Sequence, residues 1–126
     1  MLNGLTPMLI CADVQASIKF YTDTIGLKIE SRLDEVGKTG WASLGEGNVH
    51  IMLASPTYFP DMPKVNDRYY QAQYYFYTDE LDALRERIAG KGVEVTEIIE
   101  QFYGMREFEM VDPDGHILIF GQNIEK

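Results

Sequence analysis

Apolar residues recur at the spacing of one helix face in two separate parts of the chain. They are Val14, Ile18, Tyr21 and Ile25 in the first part, and Leu81, Leu84 and Ile88 in the second. Each stretch follows an aspartate and ends at a glycine the same distance further on, Asp13 with Gly26 and Asp79 with Gly92. An aspartate can accept N–H groups at a helix start, and a glycine can adopt the left-handed conformation that ends a helix. The pattern predicts two equivalent helices.

Three segments with strand composition follow each helix. They span 28–33, 40–44 and 49–54 after the first helix, and 93–99, 105–111 and 117–121 after the second. Glu46-Gly47 is the expected two-residue turn of the first hairpin, and Asp112-Pro113-Asp114-Gly115 is typical of a type I turn. Since a strand-like segment also precedes each helix, the chain is a tandem repeat. We predict an α+β fold of paired β-α-β-β-β modules.

The two modules are expected at about 5–54 and 72–122 of one domain, with a linker at about 55–71. The linker contains three prolines and no periodicity. Its aromatic residues either cover the mouth of a pocket or anchor the linker on the core. They are Tyr58, Phe59, Tyr69 and Tyr70.

The amino-acid composition says more about the partners of this protein than about its fold. The net charge of −9 over 126 residues repels phosphate backbones and anionic lipids, which argues against nucleic acid and membrane partners. The same charge either attracts a cationic ligand or only keeps the protein soluble. The chain has no apolar run long enough to cross a bilayer and no signal-peptide pattern. Cys11 is the only cysteine, which fits a reducing compartment, so we expect a cytoplasmic protein.

Two motifs resemble a known family. The run from Asp13 to Tyr21, DVQASIKFY, stands just before Gly26-Leu27, and the run YGMREF from Tyr103 precedes VDPDGH. Together with the repeat, they resemble the vicinal oxygen chelate superfamily over roughly residues 5–122. That superfamily includes glyoxalase I, extradiol dioxygenases, fosfomycin-resistance enzymes and bleomycin-resistance proteins. The resemblance implies curved mixed sheets with helices on the convex side, and a homodimer with cavities between modules.

The resemblance also implies where metal-using members place four ligands. The matching positions here are Thr6, Met52, Gln73 and Ile119, of which Met52 is aligned less securely. Thioether and hydrocarbon groups do not bind a hard divalent cation, and a lone amide oxygen binds it weakly. We therefore expect no metal and no cofactor.

Strand alternation from those positions predicts the lining of a ligand cavity. Trp41, Ser43, His50 and Met52 are expected on one face of the first hairpin, with Ser43 opposite His50 and Trp41 opposite Met52. The same reasoning directs Gln73, Tyr75 and Tyr77 inward, together with Ile117 and Ile119. The alternative is that these side chains simply fill the core.

The remaining polar candidates each have two interpretations. His50 is either a general base or metal ligand, or a strand histidine that hydrogen-bonds a neighbour such as Ser43 or a ligand. Arg106 either clamps a ligand carboxylate or pairs with one of the many Glu side chains nearby. Tyr103 belongs to the second motif and is expected to contact the ligand. His116, after a turn glycine, is expected to be exposed.

Three functions compete at this point. The favoured one is a metal-free protein resembling the bleomycin-resistance branch, which sequesters a planar antibiotic or natural product, for which a positive charge is one option. The second is a lyase or dioxygenase-type enzyme whose ligands lie outside the inherited positions, for example His50 with Glu107 or Glu109. The third is a metal-independent enzyme or a domain that binds a metabolite.

Overall fold

The computed structural model describes residues 1–35, 38–58 and 72–124. They form two compact units, the first containing the first two ranges and the second containing the third. The linker aromatics Phe59, Tyr69 and Tyr70 lie outside the described residues. No helix in the described ranges is long and apolar enough to span a membrane.

The first unit is one β-α-β-β-β module. Its elements are β1 (Met8–Ile10), α1 (Val14–Lys19), a π-helical segment (Phe20–Ile25), β2 (Lys28–Glu35), β3 (Lys38–Glu46), β4 (Val49–Ala54) and a 3₁₀ turn (Pro56–Tyr58). The sheet order is β1-β4-β3-β2. β1 runs parallel to β4, and the other neighbours are antiparallel.

The second unit repeats this topology. Its elements are β5 (Gln73–Tyr77), α2 (Leu81–Gly90), β6 (Ile99–Glu100), β7 (Met105–Val111) and β8 (Ile117–Asn123). The sheet order is β5-β8-β7-β6, with β5 parallel to β8. The predicted α+β fold of paired modules is confirmed.

The two helix starts differ, although the sequence predicted the same cap for both. The Asp13 carboxylate accepts the Ala16 N–H at 3.1 Å, as expected. Asp79 does not cap α2, so that prediction is wrong. Its place is taken by the Thr78 hydroxyl, which accepts the Glu80 N–H at 3.1 Å, and by the Gln122 amide oxygen, which accepts the Leu81 N–H at 3.0 Å.

The first hairpin turns one residue later than predicted. Glu46 pairs with Val49, so the turn residues are Gly47 and Asn48. Gly47 has φ +59° and Asn48 does not have a positive φ, which is the pattern of a type II′ turn with glycine at its first central position. Ser43 therefore lies opposite Met52 rather than opposite His50, and Trp41 lies opposite Ala54 rather than opposite Met52. The pairing moves by two residues, so every side chain keeps its predicted face.

The predicted strand at 93–99 is mostly absent, and only Ile99–Glu100 forms a strand, β6. The segment before it still follows β7 at Thr96. The Thr96 N–H donates to the Glu109 carbonyl at 3.1 Å, and the Thr96 hydroxyl accepts the Glu109 N–H at 2.8 Å. A side-chain oxygen thus replaces one of the backbone acceptors that a regular ladder needs.

One face of each sheet packs against its helix and forms the core. In the first unit this face carries Ala42, Leu44, Ile51 and Leu53, all buried. In the second unit it carries stacked rings, because Phe120 lies 5.1 Å from both Phe76 and Phe108. The opposite face of each sheet, called the open face below, carries the residues of alternate parity and has no helix over it among the described residues.

Candidate functional site

The open face of the first unit carries the four residues predicted to line a cavity there. Trp41, Ser43 and Met52 are half-buried and His50 is exposed. The ladder puts Ser43 beside Met52, with Trp41 and His50 at neighbouring pairs on the same side. Met8 of β1 lies beside Met52 and is 41% exposed. An indole and two thioethers therefore stand together on an accessible surface.

The carboxylate of Glu30, which strand alternation did not predict on this face, organises its polar part. Glu30 on β2 accepts the Ser43 hydroxyl at 3.1 Å and contacts Nδ1 of His50 at 3.1 Å. The strand register between Ile29 and Ser31 is irregular, so simple alternation could not assign Glu30 to this face. His50 therefore hydrogen-bonds a neighbour, although the neighbour is Glu30 and not Ser43.

The open face of the second unit is built around a buried carboxylate. Glu107 on β7 is only 8% exposed. Its Oε2 accepts the Tyr75 hydroxyl at 2.5 Å and the Tyr103 hydroxyl at 2.7 Å. A buried anion needs such donors because the water that would solvate it has been removed. Tyr75 and Tyr103, both predicted to contact ligand, are thus joined by Glu107.

Burial and this carboxylate also change the acidity of the phenols. Desolvation, followed by the hydrogen bond to Glu107, raises the pKa of Tyr75 well above its ordinary value. The separate hydrogen bond from Tyr103 to Glu107 raises the pKa of Tyr103. Both phenols therefore stay neutral donors at physiological pH, and neither is activated as a nucleophile or base.

A glycine makes room for this arrangement. Gly121 on β8 lies beneath Tyr75, and a Cβ there would meet the phenol oxygen and come within 2.7 Å of the ring carbon that bears it. The Tyr77 ring follows on the same strand face, 5.0 Å from that of Tyr75. Gln73 and Ile119 lie on this face as well, so the residues predicted to point inward from β5 and β8 share one surface.

Arg106 lies on the opposite face of the same sheet. Its guanidinium forms two hydrogen bonds of 3.0 Å with the Asp82 carboxylate of α2. Asp82 raises the pKa of Arg106. Of the two interpretations drawn from sequence, this contact is the ion pair, although the partner is Asp82 on α2 and not a nearby Glu. Its predicted role in ligand binding gains no support from this position.

His116 is less exposed than predicted, because it is held in the turn between β7 and β8. Its Nδ1 lies 2.7 Å from Oδ2 of the buried Asp112, and Oδ1 of Asp112 accepts the backbone N–H groups of Asp114 and His116. Asp112, Asp114 and His116 are close enough together to hold a cation. However, the hydrogen bonds of Asp112 already account for the turn geometry.

The positions that would hold a divalent metal do not fit one. Met52 offers a thioether and Ile119 a hydrocarbon, which leaves the exposed hydroxyl of Thr6 and the exposed amide of Gln73 as the oxygen donors. A hard cation needs several well-placed oxygen or nitrogen ligands, usually with negative charge among them. The residues at these positions therefore cannot form a metal centre of that type.

Comparison with known proteins agrees with this architecture. Residues 5–120 match the model of the Glyoxalase/Bleomycin resistance protein/Dioxygenase superfamily. No curated protein sequence matches the chain.

Several solved structures share the fold at low sequence identity. A superfamily member from Sphaerobacter thermophilus has a TM-score of 0.79 at 17% identity and 98% coverage of both chains. TnmS3, an antibiotic binding protein from Streptomyces sp. CB03234, has a TM-score of 0.71 at 22% identity, also with 98% of both chains covered. A lactoylglutathione lyase from Agrobacterium tumefaciens has a TM-score of 0.72 at 19% identity, covering 96% of this chain and 94% of its own. At these identities the likeness shows the fold alone.

The family match spans nearly all of the chain, and both units have the β-α-β-β-β topology that the family resemblance implied. The chain belongs to the Glyoxalase/Bleomycin resistance protein/Dioxygenase superfamily.

Proposed function

We propose that this protein binds a small organic molecule without a metal ion, as a member of the bleomycin-resistance-like branch. The ligand would be a planar, cationic antibiotic or natural product that the protein sequesters. The observation that carries the proposal is the chemistry of the inherited ligand positions. Met52 and Ile119 stand where a metal-using relative needs hard donors, and aromatic side chains surround them on the open faces.

Aromatic and sulfur groups favour a flat ligand. Trp41, next to the Ser43–Met52 pair, and Tyr75 beside Tyr77 offer ring faces and a polarisable thioether. Ring stacking contributes about 0.5–1.5 kcal/mol per pair beyond the burial of apolar area. A cation over such a ring gains about 0.5–2 kcal/mol more as it loses water.

Charge favours a cation over an anion. Carboxylates of Glu30, Glu107 and Glu109 lie on the open faces, and the net charge of the chain is −9. A field of this sign concentrates cationic ligands near the surface. The fold likeness to TnmS3, described as an antibiotic binding protein, is compatible with this role.

The test uses Trp41, the only tryptophan. We expect 9-aminoacridine, a planar cation at neutral pH, to quench its emission in a saturable titration. Trp41→Ala should weaken binding, measured by calorimetry, about tenfold or more, since it removes one large stacking surface. Phe102→Ala is the control because Phe102 is an aromatic residue that is 98% exposed on the β6–β7 hairpin. Trp41 is not in the site if the ligand leaves its emission unchanged and Trp41→Ala leaves the affinity unchanged.

One observation favours an enzyme as the second candidate. Glu30 accepts a hydrogen bond from Nδ1 of the exposed His50, so Nε2 would be the ring nitrogen that accepts a proton. One of the similar structures is a lactoylglutathione lyase. If this chain were such an enzyme, purified protein would contain one equivalent of a divalent metal and form lactoylglutathione, and His50→Gln would abolish the activity. A third candidate, a metabolite-binding domain, would be indicated if metabolites rather than antibiotics raise the unfolding temperature in a ligand screen.

The expected homodimer and cytoplasmic location are also proposals. A homodimer would give unpaired sheet edges a partner, and light scattering on the eluted protein measures its mass directly. Cys11, buried and the only cysteine in the sequence, is compatible with the reducing cytoplasm, and cell fractionation tests that location.

A further inference from the structure

The second unit contains a cavity of about 330 Å³ that shares only Ile117 with the predicted cavity lining. It lies between β7 and the irregular segment before β6. Its apolar lining, called the floor below, consists of Val95, Met110, Val111 and Ile117. Val111 is 56% exposed, and both it and Ile117 belong to the open face. The volume is at the lower end of the range for small-molecule sites, about 300–1,000 Å³.

The wall of this cavity is held in place before any ligand arrives. Thr96 is fixed to β7 by its two hydrogen bonds with the backbone of Glu109. From the other side, Nε of Arg85 on α2 donates to the Thr96 carbonyl at 2.8 Å. A preformed wall lowers the ordering cost that a ligand must overcome.

Two carboxylates line the cavity, and no lysine or arginine does. They belong to Glu94 on the wall and Glu109 on β7. Among residues 1–35, 38–58 and 72–124, neither carboxylate has a hydrogen bond or ion pair, whereas Glu97 contacts Arg85 and Glu107 accepts two phenols. Paired acidic groups beside an apolar floor complement a ligand that has one positive charge and one apolar body.

We propose that this cavity binds a small organic monocation, a protonated amine attached to a compact apolar body. The ammonium group lies between the carboxylates of Glu94 and Glu109, and the apolar body covers Val95, Val111 and Ile117. This site rests on the proposed binding function and refines it, because it places the charge recognition in the second unit. In this site, the carboxylates of Glu94 and Glu109 select a cation over a neutral molecule of the same shape.

The experiment uses a matched pair of probes, 1-naphthylmethylammonium and 1-naphthylmethanol, which differ in charge but hardly in shape. Methyl NMR follows Val95, Val111 and Ile117 in the cavity, and Ile51 in the first unit as an internal reference. We expect the cation to shift the three cavity methyl groups and to bind more tightly than the alcohol. Glu94→Gln and Glu109→Gln should each weaken binding of the cation about three- to tenfold, less at high salt, and leave the alcohol unaffected.

The control variant is Glu86→Gln, on the exposed side of α2, which removes the same charge from elsewhere on the unit. The amide spectrum of each variant shows that it is folded. The inference is overturned if Glu94→Gln and Glu109→Gln both bind the cation as tightly as Glu86→Gln does. It is also overturned if the cation leaves the signals of the three methyl groups unshifted. If the cavity does not bind the cation but 9-aminoacridine still quenches the emission of Trp41, the proposed function stands and only this cavity site is refuted. Loss of that quenching while the cavity methyl groups shift would refute only the role of Trp41.

Discussion

Removing one hydroxyl from Tyr75 tests the buried carboxylate at the centre of the second open face. Tyr75→Phe keeps the ring over Gly121 and its contact with Tyr77, and removes only the donor to Glu107. Glu107 is 8% exposed, so water cannot fully replace the lost donor. Tyr103 still donates to the same oxygen, so the charge is not left without a partner.

The magnitude follows from these contacts. A hydrogen bond to a charged group contributes about 1.5–3 kcal/mol, and the remaining phenol lowers the loss toward about 1–2 kcal/mol. For a domain of this length, that loss should lower the midpoint of thermal unfolding by roughly 4–8 °C. Scanning calorimetry or circular dichroism measures the midpoint, and urea titration gives the free energy of unfolding.

Tyr77→Phe is the matched control. It removes a hydroxyl from the same face of the same strand, but Tyr77 is 77% exposed and its hydroxyl has no hydrogen bond among the described residues. We expect it to change the free energy of unfolding by less than about 0.5 kcal/mol. Equal effects from the two variants would refute the reasoning that Glu107 depends on the Tyr75 hydroxyl.

Other predictions concern single positions. Gly121→Ala should destabilise the fold by about 1–3 kcal/mol because the new methyl group meets the Tyr75 ring. Gly90→Ala places its methyl group in open space and should stabilise the fold by about 0.4–1 kcal/mol. Urea titrations that rank the two variants in the opposite order would contradict this. Asp13→Ala removes the cap of α1 and should cost about 1 kcal/mol in the same assay. The hydrogen bond to Asp112 raises the pKa of His116 above 6.5, so its contribution to stability is present below that pH and is lost as the pH rises through the folded pKa. The unfolding midpoint of His116→Gln should therefore lie furthest below the unsubstituted protein in acid, and a gap that widens with pH would be inconsistent with that pairing.

The sequence predicts the fold well because the two modules repeat the same local signals. Helical spacing, terminal glycines and alternating strands all agree in both copies, and such agreement between local and global preferences specifies one topology. Even the wrong hairpin register left the predicted face of Trp41 and Met52 unchanged, since the error was an even number of residues.

The failures come from contacts between residues distant in sequence. α2 takes its cap from Gln122 on β8 instead of Asp79, and a repeat pattern does not contain that information. Thr96 follows β7 through its hydroxyl, so strand composition alone overestimated the strand at 93–99.

The site shows the same limit. The pairing of Glu109 with Ile119 puts Glu107 on the open face with Tyr75, but only the folded chain brings Tyr103 to the same oxygen. Glu30 was hidden by a register irregularity in β2. Parity also separates Arg106 from Glu107, and the structure gives Arg106 its partner on α2.

Ligand binding without a metal ion is tested most directly by a calorimetric titration of 9-aminoacridine into protein stripped with a chelator, repeated after adding Zn²⁺, Mn²⁺ or Ni²⁺. We expect saturable binding in the stripped protein, with the same affinity when any of these ions is present. Binding that appears only after one equivalent of metal has been taken up would contradict it.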